Sequence, residues 1–166
     1  MNPRCIKYMA RVISVLILLT LTVGLTPSAV TPAYAAPGDI TRVSVDSSGA
    51  QANGGSYRDQ ISADGRYVAF VSNATNLIPD DTNNAEDVFV KDRQTGATTR
   101  VSVTSVTGAQ ANNGSANVAI SSDGRYVAFY SDASNLVSGD TNGFGDIFVH
   151  DRQTGVTTRV SVDSSG

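Results

Sequence analysis

Cysteine is almost absent from this sequence: 166 residues hold one thiol, Cys5, near the N-terminus. Everything beyond Cys5 is therefore without disulfides, thiol catalysis or cysteine-based metal sites. Tryptophan is missing and histidine occurs once, at His150. A lone histidine on a strand between valine and aspartate reads as a surface or edge residue, and its lack of a partner leaves little room for acid–base catalysis. No serine sits in a Gly-x-Ser-x-Gly elbow, and no Gly-rich phosphate loop is present. No helical period appears from residue 36 onward. The one long apolar run, Val12 to Leu25, has 14 residues, short of the roughly 20 that a membrane span requires.

That run is part of an export signal. Arg4, Lys7 and Arg11 form a basic start, and Ala33-Tyr34-Ala35 supplies the small-x-small pattern of a cleavage site. Residues 1–35 thus read as a secretory signal peptide cut after Ala35, and 36–166 as the exported domain, with a secreted, periplasmic or cell-surface location. The exported part keeps all 15 acidic residues but loses three of the 12 basic ones, for a net charge of −6. An acidic surface repels phosphate backbones and anionic headgroups, so neither nucleic acid nor, after cleavage, a membrane is expected as a partner. Without disulfides the fold rests on its apolar core alone.

What the chain does have is a repeat. Ser62-Ala63-Asp64-Gly65-Arg66-Tyr67-Val68-Ala69-Phe70 returns 59 residues later as Ser121 to Phe129. Asp87 to Gly96 returns as Asp146 to Gly155, and Thr99-Arg100-Val101-Ser102-Val103 as Thr158 to Val162. Gly49-Ala50-Gln51-Ala52-Asn53 returns as Gly108 to Asn112, and 31 of 48 positions agree between 56–103 and 115–162. Such a period marks one supersecondary unit stacked on copies of itself.

Each copy reads as four strands: 57–62, 66–72, 87–91 and 98–103, then 116–121 and its successors. Asp64-Gly65 is a hairpin signal in which both residues tolerate positive φ. In 66–72, Tyr67, Ala69 and Val71 alternate with Val68 and Phe70, so both faces are apolar and the strand lies between packed sheets. Asp92 to Gly96 is a turn, with Asp92 bonding forward to the backbone and Gly96 taking the left-handed position. A repeated four-stranded antiparallel unit is the blade of a β-propeller; a Greek-key sandwich is the competing fold.

The pattern Ser-x-Asp-Gly-Arg-Tyr-Val-Ala-Phe, Asp-Val-Phe-Val-x-Asp-x-x-Thr-Gly, Thr-Arg-Val-Ser-Val resembles the TolB-like β-propeller repeat, a relative of the WD-repeat blade. That repeat usually has proline before Asp-Gly, where this chain has Ala63 and Ser122. The resemblance implies an all-β fold with two full blades, 57–103 and 116–162, plus a lone fourth strand at Thr41–Val45. Two blades leave a propeller incomplete. Closing the ring needs further blades in cis or a homo-oligomer, and the break at Asp163 to Gly166, which repeats Asp46 to Gly49, is expected of a fragment.

Function is expected on the longer loops, 73–86 and 104–115. There Asp81, Asn83 and Asp87 recur as Asp140, Asn142 and Asp146. Oxygen ligands at this spacing suit Ca²⁺; the competing reading is a turn made by Asp81 and Asn83 with Asp87 opening a strand, since Asp and Asn bond to their own backbone. Asp64 and Asp123 read as turn residues, and Arg66 and Arg125 as strand-edge residues paired to acids of their own blade. The expectation is a non-enzymatic binding scaffold for a protein or glycan. The alternatives are the propeller portion of a larger hydrolase or peptidase, and a two-blade lectin that assembles into a ring.

Overall fold

A computed structural model describes residues 40–163 apart from 106. The expected signal peptide, its expected cleavage site and Cys5 lie outside the described residues, which all belong to one compact unit, Pro32–Gly166. That unit holds two antiparallel four-stranded sheets, β1 Ser56–Ile61, β2 Tyr67–Ser72, β3 Asp87–Asp92, β4 Thr98–Arg100 and β5 Ser115–Ile120, β6 Tyr126–Ser131, β7 Asp146–Asp151, β8 Val156–Arg159. Each runs in sequence order, β1-β2-β3-β4 and β5-β6-β7-β8. The all-β, two-blade architecture is as the repeat implies. No helix occurs among the described residues.

Alternation decides the packing. In the β2–β3 register, Ala69 faces Val90 and Val71 faces Val88 on one side, while Phe70 faces Phe89 on the other. All six are buried, because the second blade lies over the first of these sides. Loop residues Ala74 and Leu77 close over the other. Phe70 and Phe89 stack with centroids 5.9 Å apart, as do their copies Phe129 and Phe148, adding about 0.5–1.5 kcal/mol per pair beyond burial. β5 packs against β1, β2 and β3. The first strand of each sheet, β1 and β5, carries a bulge with a left-handed residue, Arg58 at φ 55° and Asn117 at φ 53°. The Arg58 guanidinium donates to Asn117 Oδ1 across the seam.

Two local expectations are corrected. The Asp64-Gly65 hairpin is not a two-residue loop with both residues at positive φ. Only Gly65 is left-handed, at 71°, and the loop closes with Ser62 N–H donating to the Tyr67 carbonyl at 2.9 Å. Asp64 Oδ1 then accepts from Arg66 N–H at 3.0 Å. Such a four-residue loop needs a single left-handed position, which glycine supplies. Secondly, 41–45 is not a strand. Among the described residues it has no third strand beside it and keeps one bridge, Val45 to Gln51.

Candidate functional site

Both hairpin turns of a blade lie at one end and both long connections at the other. The long-loop end is stitched by its own amides. Asn53 accepts from Thr75 N–H at 2.8 Å, and Asn76 Nδ2 donates to the Gln51 carbonyl at 2.8 Å. Asn112 and Asn135 repeat both bonds. The segment before β1 or β5 is thereby tied to the blade that follows it.

The six predicted oxygen ligands do gather as two clusters, each organised around an arginine of its own blade. Arg100 Nη1 lies 3.4 Å from Asp87 Oδ2 and 3.8 Å from Asp81 Oδ1. Arg159 Nη1 lies 3.1 Å from Asp140 Oδ1 and 3.4 Å from Asp146 Oδ2. Asn83 turns its amide to Asp87, donating at 3.3 Å, and its Oδ1 caps the loop by accepting from Ala85 N–H at 2.9 Å. Asn142 repeats this with Asp146 and Phe144. Ser102 Oγ donates to Asp87 Oδ1 at 2.6 Å, as Ser161 does to Asp146. No group of three or more His, Cys, Asp or Glu side chains placed to share a metal occurs among the described residues.

The clusters differ in what the second blade's leading segment supplies to the first, including the Ala111 carbonyl that accepts from Asn83 at 3.0 Å. Gln110, just before β5, reaches back to the first blade and donates through Nε2 to Asp87 at 2.8 Å and Asp81 at 2.9 Å. Its Oε1 accepts from Thr82 N–H at 3.1 Å. This side chain latches one blade to the next. The counterpart of Gln110 is Gln51, whose Oε1 accepts from Arg42 at 2.8 Å and lies exposed. Burial pushes the Asp87 carboxyl above its usual range; the Ser161 hydroxyl holds Asp146 below it.

At the hairpin end Arg66 and Arg125 form two-point ion pairs with Asp92 and Asp151, at 2.8 and 2.7 Å, within their own blades. Burial works against the Asp92 charge, but Arg66 and two backbone N–H groups bring its pKa to about 2. The ring of Tyr67 lies on Gly124 beneath Arg152, whose guanidinium carbon is 4.2 Å from the ring centroid. These three residues line a cleft of about 320 Å³ between the blades with Asp123, Arg125 and Gln153.

His150 is not an edge residue. It is buried, and its Nδ1 lies 3.0 Å from Thr157 Oγ1. The segment between the blades covers it: Thr157 Oγ1 donates to the Val103 carbonyl at 2.6 Å, and Ser105 Oγ brackets Thr157 with two bonds of 2.7 Å. Its counterpart Lys91 occupies the matching clasp in the first blade, donating to the carbonyls of Asp46 and Gly96 and to Thr98 Oγ1. Residues 41–49 thus act as the first blade's clasp. Sequence reasoning missed both the clasps and the Gln110 latch. Their signal was the repetition of Gln51 as Gln110 and of Thr98 as Thr157, polar residues kept in both copies.

No family profile and no curated protein matches the chain. Among solved structures it is similar to TolB from Acinetobacter baumannii, with TM-score 0.42 and 19% identity over 67% of this chain and 22% of that one. It is also similar to the tricorn protease, with TM-score 0.39 and 15% identity over 66% of this chain and 9% of that one. The chain spans less than a quarter of either. At these values the likeness adds nothing to the fold read from the two sheets.

Proposed function

We propose that this chain is a secreted, non-enzymatic binding scaffold, a pair of TolB-like propeller blades taking a protein or glycan ligand on the long-loop face. One observation carries the reading. The acids, amides and arginines repeated in the two long-loop clusters are engaged within the fold, whereas the tip of the second loop differs from its copy and stands out. Phe144 is 80% exposed where the first copy has the half-buried Ala85. An exposed aromatic ring flanked by Gly143 and Gly145 suits stacking on a sugar face or an apolar peptide side chain. The absence of an enzymatic role is supported by His150, which is covered and engaged by Thr157. The export signal supports secretion.

Immobilised glycan and peptide panels test this. Phe144→Ser is expected to abolish capture, while Gln153→Ser at the hairpin end retains it. Turnover of peptide or ester substrates by the purified chain would overturn the non-enzymatic reading.

A further inference from the structure

The two ends of the blade pair are complementary, and we infer that the chain assembles head-to-tail with a second copy of itself through the contact that already joins its own blades. The side of the first blade that meets the second buries Val88 at 0% exposure and Val101 at 1%. The same positions in the second blade, Ile147 and Val160, are 41% and 47% exposed, and Tyr126, the counterpart of Tyr67, is 41% exposed. An apolar sheet face with this much exposure is the surface that its own repeat covers by stacking.

The opposite end of the molecule carries the matching parts. Tyr67 needs a glycine beneath it and an arginine above it, supplied by Gly124 and by Arg152, which donates to the Gly124 carbonyl at 2.6 Å. Gly65 and Arg93 are built the same way, with Arg93 donating to the Gly65 carbonyl at 2.6 Å. Their socket holds no ring, and a Cβ at Gly65 would meet nothing nearer than Arg93 Nη1 at 3.6 Å. Tyr126 of one copy fits Gly65 of the next.

The latch repeats the relationship. Asp81 and Asp87 receive the amide of Gln110, whereas Asp140 and Asp146 have Arg159 but no such glutamine. Gln51 is exposed at the other end, in the same Gly-Ala-Gln-Ala-Asn segment. The bulge pair is also preserved, since Asn117 of one copy meets Arg58 of the next, the same donor and acceptor in reversed order. Two differences weaken the contact. Tyr130 stands where the internal seam buries Val71, and Asp59 where it has Val118; an acid facing apolar surface loses solvation. The association is therefore reversible and concentration-dependent, unlike the internal one.

A head-to-tail contact closes into a ring or extends into a filament. Propellers of about four to eight blades correspond to about two to four copies. The contact is independent of any ligand on the long-loop face.

Light scattering coupled to size exclusion, run on the exported residues 36–166 over a concentration series, tests the inference. A discrete mass of about two to four chains is expected. Tyr126→Ser and Gln51→Glu are each expected to raise the dissociation constant by about tenfold or more. The second sets an acid against Asp140 and Asp146. Both variants should melt with the parent at dilute concentration, since each residue is exposed in the single chain. A monomer at every concentration, or an oligomer indifferent to both variants, overturns the assignment.

Discussion

The Gln110 amide donates to Asp87 Oδ2 across the blade boundary at 2.8 Å. Asp87 is fully buried, and its charge is balanced by Arg100, Ser102 and this amide together. Removing the amide leaves a buried carboxylate short of one donor. Gln110→Ala is therefore expected to lower stability by about 1–3 kcal/mol in urea unfolding. Gln51→Ala, which removes only an exposed bond to Arg42, should change the unfolding of a single chain by less than about 0.5 kcal/mol. Equal losses from the two substitutions would remove the latch from the account.

Calcium is expected to leave the melting temperature unchanged at millimolar concentration. A bound ion would have to displace Arg100 from Asp81 and Asp87, or Arg159 from Asp140 and Asp146, and bring the additional oxygens its six-to-eight-fold shell requires. Any ion that bound only the folded state would raise the melting temperature. A rise reversed by chelator, and lost in Asp140→Asn, would restore the calcium reading.

Gly124 and Gly65 separate backbone strain from blade contact. Both have left-handed φ, 72° and 71°, so alanine costs each about 1–2 kcal/mol through the Cβ clash with its own backbone. At Gly124 the new Cβ also runs into the Tyr67 ring, which must leave the seam. Gly124→Ala should therefore destabilise by at least about 1 kcal/mol more than Gly65→Ala under dilute conditions. Restoring that difference by Tyr67→Ser in the Gly124→Ala background is the check: if the gap stays, the clash is not its source.

How much of this was legible depended on range. Val68, Phe70 and Phe89 lie in two-residue alternations bounded by turn residues, so their strands could be read within a residue or so. The Asp64-Gly65 signal fixed a hairpin but not its loop length, which follows from the Ser62–Tyr67 bond. Thr41 to Val45 has the letters of a fourth strand, but a strand exists only against a neighbour, and none is there. For Asp81, Asn83 and Asp87, spacing showed that they would meet. It could not show that Arg100, Ser102 and Gln110 would take their oxygens, because those bonds depend on how strands and blades stack. His150 was misplaced for the same reason: the segment covering it lies more than 40 residues earlier in the chain.

His150 makes stability depend on pH in a window above that of Asp92 and Asp151. Burial lowers its pKa below the ordinary 6.5, with Arg152 adding to the shift and Asp151 opposing it. The unfolded chain therefore takes up a proton at a pH where the folded chain does not. Stability rises with pH wherever the unfolded state binds more protons. The His150 contribution is thus complete above about pH 6.5 and declines as the pH falls from there towards the depressed folded value. Asp92 and Asp151, with pKa values lowered by Arg66 and Arg125, act only further down, from about pH 4. Melting temperatures measured from pH 8 to pH 5 should fall further for the parent chain than for His150→Gln, which keeps a polar group near Thr157 without a titrating one. A parent chain whose melting temperature tracks that of His150→Gln across the interval would mean that His150 can be protonated in place and that the Val103–Thr157 clasp does not exclude water.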